Sequence, residues 1–213
     1  MVADLERARA RLIKHLSWEI ADKRVVEAMN RVPRDSFVPQ EHIDAAYDDR
    51  PLSIGFGQTI SQPFIVALMI QALELAGDEK VLELGTGSGY EAAVLAELAR
   101  QVVTVELIPE LEESARRLLA KRGYSNIQVH RASEVLGWIP DAPYDAIIVS
   151  AGAPSIPDIL MGQLAWGGRM VIPVGSRWQQ DLMRITKNKE GNKGENLGAC
   201  YFVPLIGKGA WKD

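Results

Sequence analysis

The sequence predicts an α/β fold: a doubly wound, mostly parallel sheet with a helical N-terminal extension. Three observations predict it. A short apolar run, Val81 to Leu84, enters a turn with glycines at 85, 87 and 89 and continues into a helical pattern from Tyr90 to Ala99. From Lys80 to Val174 strand-like and helix-like stretches alternate, as parallel strands joined by crossover helices require. Beyond Gly175 two more strand-like stretches follow with no helix between them, and these read as an antiparallel end to the sheet.

Taken in order, residues 4–16 and 22–31 read as helices, the second opened by Asp22 as N-cap and ended by Pro33. Residues 34–39 and 47–57, with Pro51, Gly55 and Gly57, show no sustained period and read as ordered connection. Phe64, Ile65, Ala67, Leu68, Met69, Ala72 and Leu73 then mark a buried helix, with Ser61 placed to cap it and Pro63 tolerated in its first turn. Strands are expected at Lys80–Leu84, Gln101–Val105, Ile127–His130, Tyr144–Val149 and Arg169–Val174. The helices between them include Pro109–Arg122, which Gly123 ends, and Ser155–Leu164, where Ser155 can cap. The antiparallel pair is Leu182–Lys187 with Ala199–Ile206, separated by a polar, mobile loop over Asn188–Gly198.

The glycine spacing carries the first chemical reading. Gly85, Gly87 and Gly89 let the backbone turn sharply and leave no Cβ between it and a ligand. A dinucleotide fingerprint wants its third glycine one residue later, where this chain has Tyr90, and the nearby Glu83 is unfavourable for a diphosphate. The next strand ends in Glu106, which can accept both hydroxyls of a ribose. Two acids and three glycines fit S-adenosylmethionine better than a nicotinamide dinucleotide. The alternative is a tight strand-to-helix turn with no ligand. Right-handed crossovers place Glu83, Glu106 and Ser150 at one edge of the sheet.

Composition limits the partners. With 213 residues, 47% of them hydrophobic, the chain suits one domain over residues 1–213. That domain divides into an N-terminal helical, substrate-side extension (1–60), a cofactor-binding core (61–175) and C-terminal antiparallel strands (176–213). A net charge of −4 without a lysine or arginine block argues against nucleic acid or an anionic membrane as partner. No apolar run approaches spanning length, and the charged stretch from Asp4 to Lys14 lacks the apolar centre of a signal peptide, so a cytoplasmic monomer is expected. One cysteine, Cys200, forms no internal disulfide and reads as a buried strand residue. Three scattered histidines give no metal-ligand spacing, so no metal is expected.

Several stretches together resemble one family, the protein-L-isoaspartate O-methyltransferases. They are Val32 to Pro39, Tyr47 to Pro63, Val81 to Tyr90, Tyr144 to Val149, Leu164 to Gly175 and Phe202 to Leu205, in the family's order over nearly the whole chain. The most specific is Gly57-Gln58-Thr59-Ile60-Ser61-Gln62-Pro63. The resemblance implies a seven-stranded methyltransferase sheet, S-adenosylmethionine as donor, and the α-carboxylate of an L-isoaspartyl residue in a damaged peptide or protein as acceptor. It implies Ser61 as the active-site serine. The cofactor set is then Thr59, Glu83, Gly85, Thr86, Gly87, Ser88, Gly89, Glu106 and Leu107. Where the family carries an Asp-Gly pair at the adenine, this chain has Ser133-Glu134, and one of these side chains or a backbone carbonyl is expected to take the adenine amino group. Phe64 stands where many members have histidine. Ile60, Ser61, Gln62, Val203, Pro204 and Leu205 are expected to border the peptide. Competing readings are a methyltransferase of a small molecule or modified peptide, a catalytically silent cofactor-binding module, and a nicotinamide oxidoreductase.

Overall fold

A computed structural model describes residues 2–212. The elements run α1 (Val2–Glu19), α2 (Lys23–Arg31), β1 (Leu52–Gly55), β2 (Gln58–Ile60), α3 (Pro63–Ala72), β3 (Lys80–Leu84), α4 (Tyr90–Ala96) and β4 (Gln101–Glu106). They continue with α5 (Pro109–Lys121), β5 (Ile127–Arg131), β6 (Tyr144–Val149), α6 (Asp158–Gln163), β7 (Leu164–Gly175), β8 (Gln180–Thr186) and β9 (Lys193–Cys200).

β3 to β9 form a seven-stranded sheet in the order β5-β4-β3-β6-β7-β8-β9. The pairs from β5 to β7 are parallel, and β7–β8 and β8–β9 are antiparallel. A strand buried on both faces alternates its side chains between two cores, so both sets must be apolar. Val81, Val102, Ile148 and Val171 meet the core built with α1 to α4. Leu82, Leu84, Val103, Val105, Ile147 and Met170 meet the opposite core, which includes Leu160 of α6. Glu83 breaks the apolar rule at the centre of the sheet and is fully buried.

Helix boundaries follow local chemistry in two places. Asp22 caps α2, its carboxylate accepting from the Arg24 N–H at 3.0 Å. Gly123, at φ +84°, ends α5 as expected. α3 departs from the sequence expectation: its N-cap is Gln62, which makes no side-chain cap, and Pro63 opens the helix. The free N–H of Phe64 donates instead to Asp49 Oδ1 at 2.8 Å, and Gln62 Nε2 donates to Asp49 Oδ2 at 3.1 Å. A carboxylate from the preceding loop therefore takes the capping role assigned to Ser61.

Other elements differ as well, and β7 begins at Leu164, five residues before the expected Arg169. Residues 52–60 form the hairpin β1–β2, whose strands of 4 and 3 residues are too short to show a period. α6 starts at Asp158 after Pro157, and Ser155 stays outside it. The last strand is Lys193–Cys200 rather than Ala199–Ile206, so only the turn around residues 188–192 remains of the polar loop. β9 lies at the sheet edge and is mostly exposed, so backbone pairing to β8 orders it without an apolar pattern. Cys200 is half-buried at its end rather than buried.

Asp49→Ala should destabilise the protein by about 1–2 kcal/mol, the usual cost of a lost helix cap. Urea unfolding measures it, and an unchanged midpoint would remove Asp49 from that role.

Candidate active site

Strand order reverses between β3 and β6, and in a doubly wound sheet the crevice outside the carboxyl ends of the strands opens there. A cavity of about 660 Å³ occupies this position. It is of the size that holds a small molecule.

The turn after β3 forms its base. Gly85, Gly87 and Gly89 hold φ of +96°, +52° and +86°, which residues with a Cβ rarely adopt. Gly85 and Thr86 donate their N–H groups to Val105 O at 2.9 and 3.3 Å, locking the turn to β4. The Glu106 carboxylate then bridges two chain segments, Oε2 accepting from Gly87 N at 2.8 Å and Oε1 from Ile108 N at 2.9 Å. Thr86 and Thr104 share a 2.6 Å hydroxyl bond beneath the turn. Above it the hairpin closes in, since a Cβ on Gly87 would stand 3.3 Å from Ile54 Cδ1.

The opposite wall carries Thr59, Ile60, Ser61 and Gln62. Their placement depends on a cation. Arg34 is fully buried, donates from Nε to Ala46 O at 3.0 Å and from Nη2 to Ser61 O at 2.8 Å, and stacks over the Tyr90 ring at 5.0 Å. Burial lowers its pKa, and Tyr90, Asp49 and Tyr47 oppose that shift. With Asp49 holding Phe64 N from the other side, the Ser61 main chain is pinned while its hydroxyl bonds to none of the described residues.

The cavity brings together most of the residues singled out from the sequence. Thr59, Ile60, Ser61, Gln62, Gly85, Thr86, Gly87, Ser88, Glu106, Leu107, Ser133, Val203, Pro204 and Leu205 all line it. Gly89, Glu83 and Glu134 lie off its wall: Gly89 packs toward Leu119, and the Glu134 carbonyl accepts from Lys208 N at 3.0 Å. The Ser133 hydroxyl is engaged within its own loop, accepting from Val135 N at 3.2 Å and donating to Val135 O at 3.1 Å.

Among the residues absent from the sequence reading of the site that also line the cavity are Glu91, Tyr201 and Cys200. Burial raises the Cys200 thiol to about 11, so it stays protonated at neutral pH. Glu91 had a visible signal, being an acid in the otherwise apolar run Tyr90 to Leu95. Ser150 Oγ donates to its carboxyl. Burial raises Glu91 to about 7, against that bond. Burial, then the charge of Glu91, pushes Glu83 well above the usual carboxylate range.

The matching family model spans residues 7–210 and describes the protein-L-isoaspartate (D-aspartate) O-methyltransferases. The chain belongs to that family. A protein-L-isoaspartate O-methyltransferase from Syntrophobacter fumaroxidans is 52% identical over 98% of this chain and 99% of its own length. One from Geobacter metallireducens is 51% identical over 98% and 97%. A solved protein-L-isoaspartate O-methyltransferase superposes with TM-score 0.86 at 28% identity, over 95% of this chain and 67% of that one. A Plasmodium falciparum candidate of the same name, solved in complex with S-adenosyl-L-homocysteine, superposes at 0.77 with 26% identity over 91% and 95%. In this isoaspartate methyltransferase family member, residues Gly57 to Gln62 face the glycine turn across one cavity.

The raised acids have a consequence for stability. A carboxyl whose folded pKa lies above its unfolded value of about 4.3 favours the folded state at low pH and loses that contribution as pH rises through the folded pKa. Wild-type stability should therefore fall as pH rises from about 5 through about 7, where Glu91 titrates, and Glu91→Gln should flatten the fall. Parallel urea midpoints for the two proteins across that range would contradict it.

Proposed function

We propose that the protein transfers the methyl group of S-adenosylmethionine to the α-carboxylate of L-isoaspartyl residues in damaged peptides and proteins. The observation that carries this reading is the single cavity shared by the glycine turn and the Thr59–Gln62 wall.

The residues suit the donor. The left-handed glycines remove side chains from the base of the cavity, and Glu106, buried and already oriented by two N–H groups, faces it as a ribose-diol acceptor. Leu107, Ser88 and the 133–137 loop complete the nucleoside side, where Ser133 or a main-chain carbonyl meets the adenine amino group. When bound, S-adenosylmethionine supplies an electrophilic sulfonium methyl. The chain has no need to supply a strong base, because a carboxylate of pKa ~4 is already ionised at neutral pH. Its task is to align and to dry. Holding the acceptor oxygen within ~3–3.5 Å of the methyl carbon supplies several kcal/mol through proximity. The Ser61 hydroxyl donates a hydrogen bond that aims the carboxylate, and Ile60, Val203, Pro204 and Leu205 border the peptide and exclude water. Transfer leaves S-adenosylhomocysteine and a methyl ester; away from the enzyme, the neighbouring amide nitrogen attacks the ester carbonyl and expels methanol, giving a succinimide that water opens partly to normal aspartate.

The reading includes a monomer acting in the cytoplasm without nucleic-acid or membrane partners. The net charge of −4 and the unpaired cysteine support it. Among the described residues, no helix is long and apolar enough to cross a membrane.

Methyl incorporation into paired peptides that differ only in aspartyl linkage tests the reaction, with the isoaspartyl form expected as the substrate. Equal labelling of both, or of neither, would overturn the assignment. Ser61→Ala should lower the rate roughly 10- to 100-fold, as loss of one hydrogen bond to a charged group implies. A wild-type rate would leave the serine without a catalytic part. Glu106→Ala should weaken donor binding by a similar factor, read by calorimetric titration, and unchanged affinity would place the ribose elsewhere.

A further inference from the structure

Among the described residues, three large apolar side chains line the cavity and yet stay more than a third exposed: Leu107, Val135 and Tyr201. Apolar surface left in water on the wall of a binding site is where a ligand gains by covering it. Leu107 and Val135 follow β4 and β5, on the nucleoside side. Tyr201 is left over by that assignment. It follows β9, which closes the other end of the sheet three strands beyond β6. It is 68% exposed and makes no hydrogen bond or ring contact among the described residues.

The backbone that carries Tyr201 is held from behind. Gln180, the first residue of β8 and the partner of Cys200 across the ladder, is 2% exposed. Its Oε1 accepts from Phe202 N at 2.7 Å, and its Nε2 donates to Ser176 O at 2.8 Å. A buried amide is costly unless both its groups are used, and here both serve main chain. Farther on, Val203 O accepts from Gly152 N at 2.8 Å and Leu205 N donates to Gly152 O at 2.9 Å. The run after β9 is thus fixed at three main-chain points. Cys200 and Phe202 pack against one core, Val203 and Leu205 against the other, and Tyr201 against neither. Its ring stays at the cavity mouth on a rigid support, and the wall continues from it through Phe202 to Val203, Pro204 and Leu205, the stretch that borders the peptide.

This end of the cavity carries no charge. Among the described residues, the charged side chains of the wall are Glu91 and Glu106, both buried and both on the donor side. Pro51 and Gly57, exposed on the same wall, add neither charge nor a side-chain donor. An isoaspartyl residue enters by its α-carboxylate, so the two arms of its chain leave through the mouth. We propose that Tyr201 is a specificity-determining residue whose ring packs on an apolar or aromatic side chain directly flanking the isoaspartyl residue. The assignment rests on the isoaspartyl reading of the acceptor. Such a contact is present before and during transfer alike, so it acts on KM and not on kcat.

The test measures kcat and KM for methyl incorporation into isoaspartyl peptides of one sequence, in which the residue before or after the isoaspartyl is Phe, Gly or Lys. At one of the two positions wild-type KM should be roughly 3- to 10-fold lower for Phe than for Gly, with kcat unchanged, as one ring contact implies. Tyr201→Phe should keep that ratio, and Tyr201→Ser should bring it to about one. S-adenosylhomocysteine affinity, read by calorimetric titration, should be the same in all three proteins, which places the effect on the acceptor. Equal wild-type KM for every peptide, a KM lowest for Lys, or an unchanged ratio in Tyr201→Ser would overturn the proposal and leave the isoaspartyl reaction standing. Methylation of none of the peptides would overturn both. An exposed side chain off both cores leaves folding intact in either variant, so the ratios decide.

Discussion

Three residues out of five after β3 sit at positive φ, and that requirement organises the site. Only glycine takes this backbone without steric cost, so Gly85, Gly87 and Gly89 leave a surface with no side chains where the parallel strands end. The bare turn still has polar backbone to satisfy. Val105 O takes two of its N–H groups and Glu106 a third, which ties the turn to β4 and leaves Glu106 oriented toward the cavity. One constraint on backbone conformation thus positions a carboxylate at the end of the next strand.

The Thr59–Gln62 wall is built by a different principle. Ser61 lies on a short segment between β2 and α3 that could not hold its geometry alone. Arg34 donates to its carbonyl from one side, and Asp49 caps the following helix from the other. A buried guanidinium is costly unless its donors are used. Arg34 uses Nε and Nη2 on carbonyls and offers its face to Tyr90, which begins α4 directly after the glycine turn. The glycine turn and the Thr59–Gln62 wall therefore meet through one stacked pair, and the distance between them is set by packing rather than by loop conformation.

How much of this is visible in the sequence depends on what enforces each element. Strands β3, β4 and β6 are buried on both faces, so continuous apolar runs mark them to within a residue. β9 owes its form to backbone pairing at an edge and carries the polar composition of a loop, so no local pattern announces it. The hairpin is equally silent because its strands are so short. Asp49 illustrates a third limit. Ser61 is a legitimate local cap, but a carboxylate 15 residues before Phe64 reaches that N–H first, and only tertiary structure decides the competition. Within the site, motif residues cluster as expected, whereas Glu83 falls off the cavity wall because strand alternation turns it toward α4.

The same alternation explains why the centre of the sheet carries a group that the core would otherwise reject. At the position of Glu83, a valine or leucine would pack against α4 without a desolvation cost. With Glu91 facing it, the two carboxyls hold a proton more firmly than either would alone, which trades stability at neutral pH for a polar contact at the edge of the cavity. Ser150, at the end of β6, donates to one oxygen of the pair, so the acid that strand alternation buries is tied through α4 to the same sheet edge that opens the cavity.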